Sequence, residues 1–379
     1  MMQLLKKNVI LSFIIFLFIA SVVGALFGYH GGGILQKGNT AMADLTWSME
    51  PTAKYEYLDA TDDLNVYLGS CTGKREKHLI DVNGKILERW PGQNLGNGYF
   101  EYYDGEKAGV ADKDGNFLIK AEHDYIQAEG DYFIASGINE RISFWNLDGE
   151  CIWEEPQSAV AHHLGNNVFL VNQEGIAKSY LFYADSVKTK PLTKHVSFVH
   201  DDGKGGLVGH INGLYYHLDE TFDVVEGAQV YEKYGDLSEG LRYVVLYDEK
   251  TRKSTPCYIN TDGKIIITLD KQPDDAGTFS EGKALLQTGN QLRCIDKKGN
   301  ELFTLKLKPQ RSNFRIYPDF CYSEGLAAVS LDYDKYGYID ETGKFVIEPV
   351  LDMARDIQNG YAVVGIDGEN YQYGILKFD

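Results

Sequence analysis

Tyr336-Gly337-Tyr338-Ile339-Asp340-Glu341-Thr342-Gly343-Lys344-Phe345-Val346-Ile347-Glu348-Pro349 sets two short apolar and aromatic runs around one polar turn, Asp340–Lys344. Gly343 is the residue that lets such a turn close, because glycine takes positive φ without strain. Just upstream, Ser323-Glu324-Gly325-Leu326-Ala327-Ala328-Val329 makes a second bend followed by a β-prone run. Bend, strand, turn, strand is the grammar of an antiparallel meander.

Both pieces recur through the chain. The turn returns at Ile80–Leu87, Val110–Ile119, Phe144–Trp153, Tyr258–Ile267, Cys294–Phe303 and Tyr338–Ile347, with degenerate copies at Leu181–Leu192 and Tyr215–Val225 and a truncated one at Tyr373–Asp379. The bend returns at Asn97-Gly98, Glu129-Gly130, Glu239-Gly240, Glu281-Gly282 and Asn359-Gly360. The spacing averages about 37 residues, the range of a repeat protein rather than of independent domains.

One unit of three or four antiparallel strands cannot bury both faces of its own sheet, so the units must stack. The expected fold is all-β: a β-propeller of seven to nine small blades, with an open β-solenoid of antiparallel meanders as the alternative. Ring closure is expected to use Tyr55–Leu58 as the strand that completes the last sheet and removes its edge. The expected organisation is an N-terminal signal anchor or signal peptide over 1–30, a flexible tether over 31–53, and the β-repeat domain over 54–379.

Read together, YGYIDETGKFVIEP and SEGLAAV resemble the WG-repeat (KWG-repeat) family of bacterial proteins. The resemblance is strongest over Tyr322–Val364, weaker over Leu237–Phe303 and weakest over Lys77–Leu192. Tyr336 and Tyr373 stand where the family has Trp before Gly, and the family proline is present only as Pro349. The family implies a binding or surface role and transfers no catalytic residue.

Lys6 and Lys7 precede Val9–Tyr29, an uncharged stretch rich in Ile, Leu, Phe and Val. About 20 such residues span a bilayer, and the basic pair orients the remainder outward. Val23-Gly24-Ala25 also resembles a signal-peptide cleavage site. The expectation is a single-pass protein with an extracytoplasmic C-terminal domain, or a secreted one.

The formal charge of −18 argues against nucleic acid and anionic membrane surfaces as partners. The five cysteines, Cys71, Cys151, Cys257, Cys294 and Cys321, contain no CxxC. Cys151, Cys257 and Cys294 fall in expected strands, where a free thiol acts as a small apolar residue.

Motifs with chemical promise dissolve into the repeat. His162-His163 point to opposite faces of a strand, which disfavours joint metal ligation. Asp112–Asn116 and Asp332–Asp334 resemble fragments of calcium loops, but position twelve from Asp112 is His123 rather than Glu. Gly203–Gly209 is Gly-rich without the G-x-G-x-x-G spacing. Ile80–Trp90 is similar to a stretch of arylsulfotransferase-type propellers, whose catalytic His and basic residues have no counterpart placed here; Trp90 is expected to pack between blades. No catalytic, cofactor-binding or metal residue is assigned.

The expected function is binding of a protein or cell-envelope glycan, with Tyr333 and Tyr336 as candidates for a binding face. An enzyme on the same scaffold (lyase, hydrolase or sulfotransferase-like) and a structural envelope component are the rivals. Function is expected where the repeats differ, in the insertions Tyr247–Thr255 and Pro309–Phe320.

Overall fold

The computed structural model describes residues 45–61, 63–74, 76–112, 114–137, 141–308, 321–367 and 371–378. Residues 1–44, and with them the expected anchor and most of the expected tether, lie outside the described residues, as does 309–320. No helix among the described residues is long and apolar enough to cross a membrane.

The chain is an all-β repeat built from antiparallel meanders in sequence order. It divides into two compact units: one is Asn94–Phe198, and the other joins the described residues up to Gln93 to Val199–Asp379. The first unit contains a 94–123 sheet and a seven-stranded 125–191 sheet. The second contains a 55–90 sheet, a seven-stranded 199–268 sheet, a 275–306 sheet, a three-stranded 327–351 sheet and a closing sheet. Each seven-stranded sheet holds two meanders that share one long strand, Cys151–Gly165 or Val230–Ser238. Among the described residues there are therefore nine meanders, three in the first unit and six in the second.

The recurring Asp- or Asn-led turns are made the same way. Asp340 N–H donates to Lys344 O at 2.8 Å, and Gly343 N–H donates to Asp340 O at 3.0 Å. The Asp340 carboxylate accepts from the backbone of Thr342 and Lys344 at 2.8 and 3.0 Å. Asp81, Asp112, Asn146, Asp202, Asp219, Asn260 and Asp296 repeat that side-chain pattern. The degenerate copies bend as well, with Phe222 at φ 66° and Val187 at φ 50° where a glycine is comfortable.

Neighbouring meanders pack face to face, which is how each sheet buries its second face. In the second unit the apolar layers run in order: Tyr231, Val244 and Cys257 within the 199–268 sheet; Tyr258, Phe279 and Leu286; Leu285, Tyr322 and Val329; Tyr338, Ile357 and Val364; then Met49, Tyr55, Leu58, Tyr373 and Ile375. In the first unit the layers are Val110, Ile126 and Phe133, then Phe144, Phe169 and Phe182.

The closing sheet joins Met353–Ala354, Tyr361–Ile366 and Gln372–Lys377 to Trp47–Thr52. Trp47 pairs with Leu376 and Thr52 with Tyr373. A strand does complete the last sheet, but it is Trp47–Thr52, inside the expected tether, and not Tyr55–Leu58. Tyr55–Ala60 instead opens the next sheet against Val66–Cys71. The physical reason is packing: Met49 is buried, and Gly374 leaves room for the Trp47 ring, which an added Cβ would approach to 2.7 Å.

Candidate functional site

The 199–268 sheet holds the pocket with the most unspent chemistry. Its strand Val230–Ser238 pairs with Leu241–Asp248 through register shifts between Tyr231 and Lys233 and between Tyr234 and Leu237. In a regular strand, residues three apart face opposite ways. The bulged pairing lets Tyr231 and Tyr234 turn into the same buried layer, with ring centroids 5.0 Å apart.

Arg242 lies across from Leu237 on one side and Ile259 on the other. It is only 5% exposed. Its Nη2 donates to Asp201 O at 2.8 Å, and its guanidinium carbon sits 4.2 Å from the Tyr234 ring centroid. Its Nε meets no acceptor, and no carboxylate among the described residues pairs with it. A buried charge normally comes with a counter-ion, since removing it from water costs several kcal/mol, on the order of the gain from a good pair.

Arg242 lines a pocket of about 380 Å³ with Asp202, Lys204, His217, Gln229, Tyr231, Tyr234 and Asn260. The rim charges are committed elsewhere. Asp202 accepts from Lys204 and Gly206 N–H in its turn, and the Lys204 ammonium, 2.5 Å away, donates to Asp262. His217 Nε2 lies 3.1 Å from the Tyr231 hydroxyl. Burial pushes the Tyr231 phenol up to about 12 and raises Tyr234, with Arg242 pulling both the other way. Burial also lowers His217, against Asp202 and together with Arg242. At neutral pH the pocket offers the Arg242 guanidinium among neutral aromatic groups, with the charges of Asp202, Lys204 and Asp262 also in its lining. That combination suits a carboxylate carried on a small ring.

A larger cleft of about 610 Å³ in the first unit is lined by Trp153, Glu155, Gln173, Ser179, Tyr180 and His195. Its polar groups satisfy one another. Glu155 accepts from Tyr180 and from Gln173. Ser179 contacts Asn172 Oδ1 at 2.6 Å and His195 Nδ1 at 2.8 Å and accepts the Val196 N–H at 3.1 Å. A Ser–His contact that is this buried and this committed holds a loop in place and offers no free nucleophile.

The residues singled out by sequence fall as follows. Tyr336 is buried and Tyr333 is half-buried, accepting from Gln287, so the two do not form an exposed aromatic face. Asp112 and Asp332 spend their carboxylates on their own turns, with Lys308 also on Asp332. His162 and His163 are depressed by burial, and His163 approaches Glu129 at 3.7 Å. Gly203–Gly209 forms a hairpin loop between two strands. The Tyr247–Thr255 insertion is a hairpin end, and Pro309–Phe320 lies outside the described residues. Cys257 and Cys294 are buried and pushed up to about 11 by burial, whereas Cys151 is exposed. Arg242 was hidden in the strand of Glu239-Gly240-Leu241-Arg242-Tyr243-Val244. An arginine at an inward position of an otherwise apolar run was the available signal.

Comparison with family models supports the repeat reading. The family model described as "WG containing repeat" matches residues 258–291 and 336–369. No curated protein matches. Among solved structures, the propeller of Dos1 is similar at 11% identity and TM-score 0.44, over 89% of this chain and 97% of that one. The computationally designed protein Ika8 gives 10% identity and TM-score 0.43 over 87% and 99%. BamB from Moraxella catarrhalis gives 9% and 0.39 over 86% and 100%.

Proposed function

We propose that this chain is an interaction module: a membrane-tethered, extracytoplasmic β-propeller that binds a carboxylate-bearing glycan of the cell envelope through the Arg242 pocket. The WG repeats support a binding role in general, and Lys6, Lys7 and the apolar Val9–Tyr29 support the tether. The observation that carries the ligand class is a buried guanidinium with no carboxylate partner, walled by Tyr231, Tyr234 and His217. The ligand carboxylate supplies the missing counter-charge, and the tyrosine rings flank its sugar ring.

The test is titration calorimetry with a hexuronic acid and the matching neutral hexose, on the full chain and on Arg242→Gln. The expected result is binding of the acid, at least tenfold weaker binding of the neutral sugar, and loss of the acid's advantage in the variant. Equal binding of both sugars, or an unchanged advantage in the variant, would sink the assignment. Protease protection of the repeat domain in intact cells would sink the extracytoplasmic placement.

A further inference from the structure

A second constellation lies in the 55–90 sheet and owes nothing to the Arg242 pocket. Strands Val66–Cys71 and Lys77–Asp81 are joined by a short loop, closed by Cys71 N–H donating to Glu76 O at 3.0 Å. Gly69 lies opposite His78 in the ladder, and Tyr55 opposite Cys71. Alternation along the strands therefore brings Cys71, Glu76 and His78 to one face at the hairpin end. Cys71 Sγ is 3.5 Å from both ring nitrogens of His78. His78 Nε2 is 2.8 Å from Glu76 Oε1. One ligand atom from each residue lies within 4.8 Å of the other two.

We propose that Cys71, Glu76 and His78 form a binding site for a divalent ion of the zinc class. A tetrahedral zinc with bonds of about 2.3 Å to sulfur and 2.0–2.1 Å to nitrogen separates those two ligand atoms by ~3.5 Å. The Cys71 Sγ–His78 Nε2 distance of 3.5 Å matches that value, while the equal 3.5 Å to Nδ1 and the 2.8 Å between Nε2 and Glu76 Oε1 mean that the imidazole turns and the carboxylate draws back slightly to admit the ion. Thiolate, imidazole and carboxylate are a donor set that suits zinc or cobalt and not calcium or magnesium.

The surroundings are built around the histidine. His78 is only 3% exposed. With the metal on Nε2, the other nitrogen, Nδ1, faces the Tyr55 hydroxyl at 3.3 Å, the kind of outer contact that fixes the tautomer of a ligating histidine. Gly69 makes room for that tyrosine, because a Cβ there would lie 2.5 Å from the ring. Arg89 Nη1 donates to Glu76 Oε1 at 2.9 Å and lies 3.4 Å from His78 Nε2, so this exposed guanidinium holds the place of a cation at the site and swings out to solvent when an ion binds. Metal binding forms a metal–sulfur bond at Cys71, breaks its S–H bond and releases that proton to solvent; no electron is transferred. Three protein ligands leave one position for water.

The test uses Co²⁺ and Zn²⁺ with the reduced full-length chain and with Cys71→Ser, Glu76→Gln and Cys151→Ser variants. The expected result is one Co²⁺ per chain with an ultraviolet thiolate-to-cobalt band, displaced by Zn²⁺. The band should vanish in Cys71→Ser, affinity should fall at least tenfold in Glu76→Gln, and Cys151→Ser should leave both unchanged. Glu76 is part-exposed in a loop, so its variant keeps the fold, and circular dichroism of each variant checks this. Absence of the band in the folded wild-type chain, its persistence in Cys71→Ser, or its loss in Cys151→Ser would overturn the site.

Discussion

At the residue scale, the repeat is a rule about one backbone position. The fourth residue of every turn takes positive φ, and Gly84, Gly115, Gly149, Gly263, Gly299 and Gly343 fill it at φ 75–83°. Val187 takes φ 50° in the degenerate copy and is 44% exposed. A β-branched side chain is strained there, and little packing is lost by removing it. Val187→Gly should stabilise the chain by about 1 kcal/mol, read from urea unfolding. Glu129 is a different case. It is 8% exposed and burial raises its carboxyl to about 7. Its folded value lies above its unfolded one, so its contribution to stability is full below the ordinary carboxylate range and is lost as pH rises through about 7. Glu129→Gln should therefore gain stability relative to wild type between pH 5 and pH 8, by on the order of 2 kcal/mol. Equal gains at both pH values would contradict this.

At the scale of the element, the Ser-Glu-Gly bend proves to be a staple as well as a turn. Ser280 Oγ donates to Tyr322 O at 2.5 Å and Glu281 accepts the Gly325 N–H at 2.9 Å. Ser238 and Glu239 do the same to Phe279 and Gly282, and Ser323 and Glu324 to Ile357 and Gly360. Each bend thus grips the bend of the next repeat. Glu281→Ala leaves the turn but frees the Gly325 N–H, at a cost of about 1 kcal/mol. Hydrogen exchange should speed up at Gly325–Ala328 and stay unchanged in the 55–90 sheet. The strands and turns were readable from the sequence because glycine spacing and alternation are local signals. The staples were not, since a glutamate that reaches into the neighbouring repeat looks the same in sequence as one in water. Arg242 and the Cys71, Glu76, His78 group were missed for a related reason. A bulge and a hairpin end, not a spaced motif, bring them together.

At the scale of the molecule, the all-β repeat architecture is as expected, while the strand that closes the last sheet was misplaced. Trp47–Thr52 follows a Gly-rich stretch and carries Pro51, so its local composition reads as tether. Only its long-range partners reveal it: Met49 buried beside Tyr55 and Ile375, and Trp47 against Gly374. Replacing 47–52 by a Gly-Ser segment should expose the Gln372–Lys377 edge and lower Tm by several degrees. A synthetic 45–53 peptide added in trans should restore part of that loss by β-strand addition. No loss of Tm would mean that the pairing contributes nothing to stability.

That pairing also imposes a timetable. Trp47 leaves the ribosome about 330 residues ahead of Leu376, the residue it must pair with. Closing so long a loop adds only modestly to the entropy cost, but it makes the last sheet the slow event of folding. Throughout synthesis the nascent chain carries an orphan strand with an apolar Met49, open to chaperones or to the unfinished edge of another copy. Docking of that strand covers the Gln372–Lys377 edge and ends the exposure of both partners.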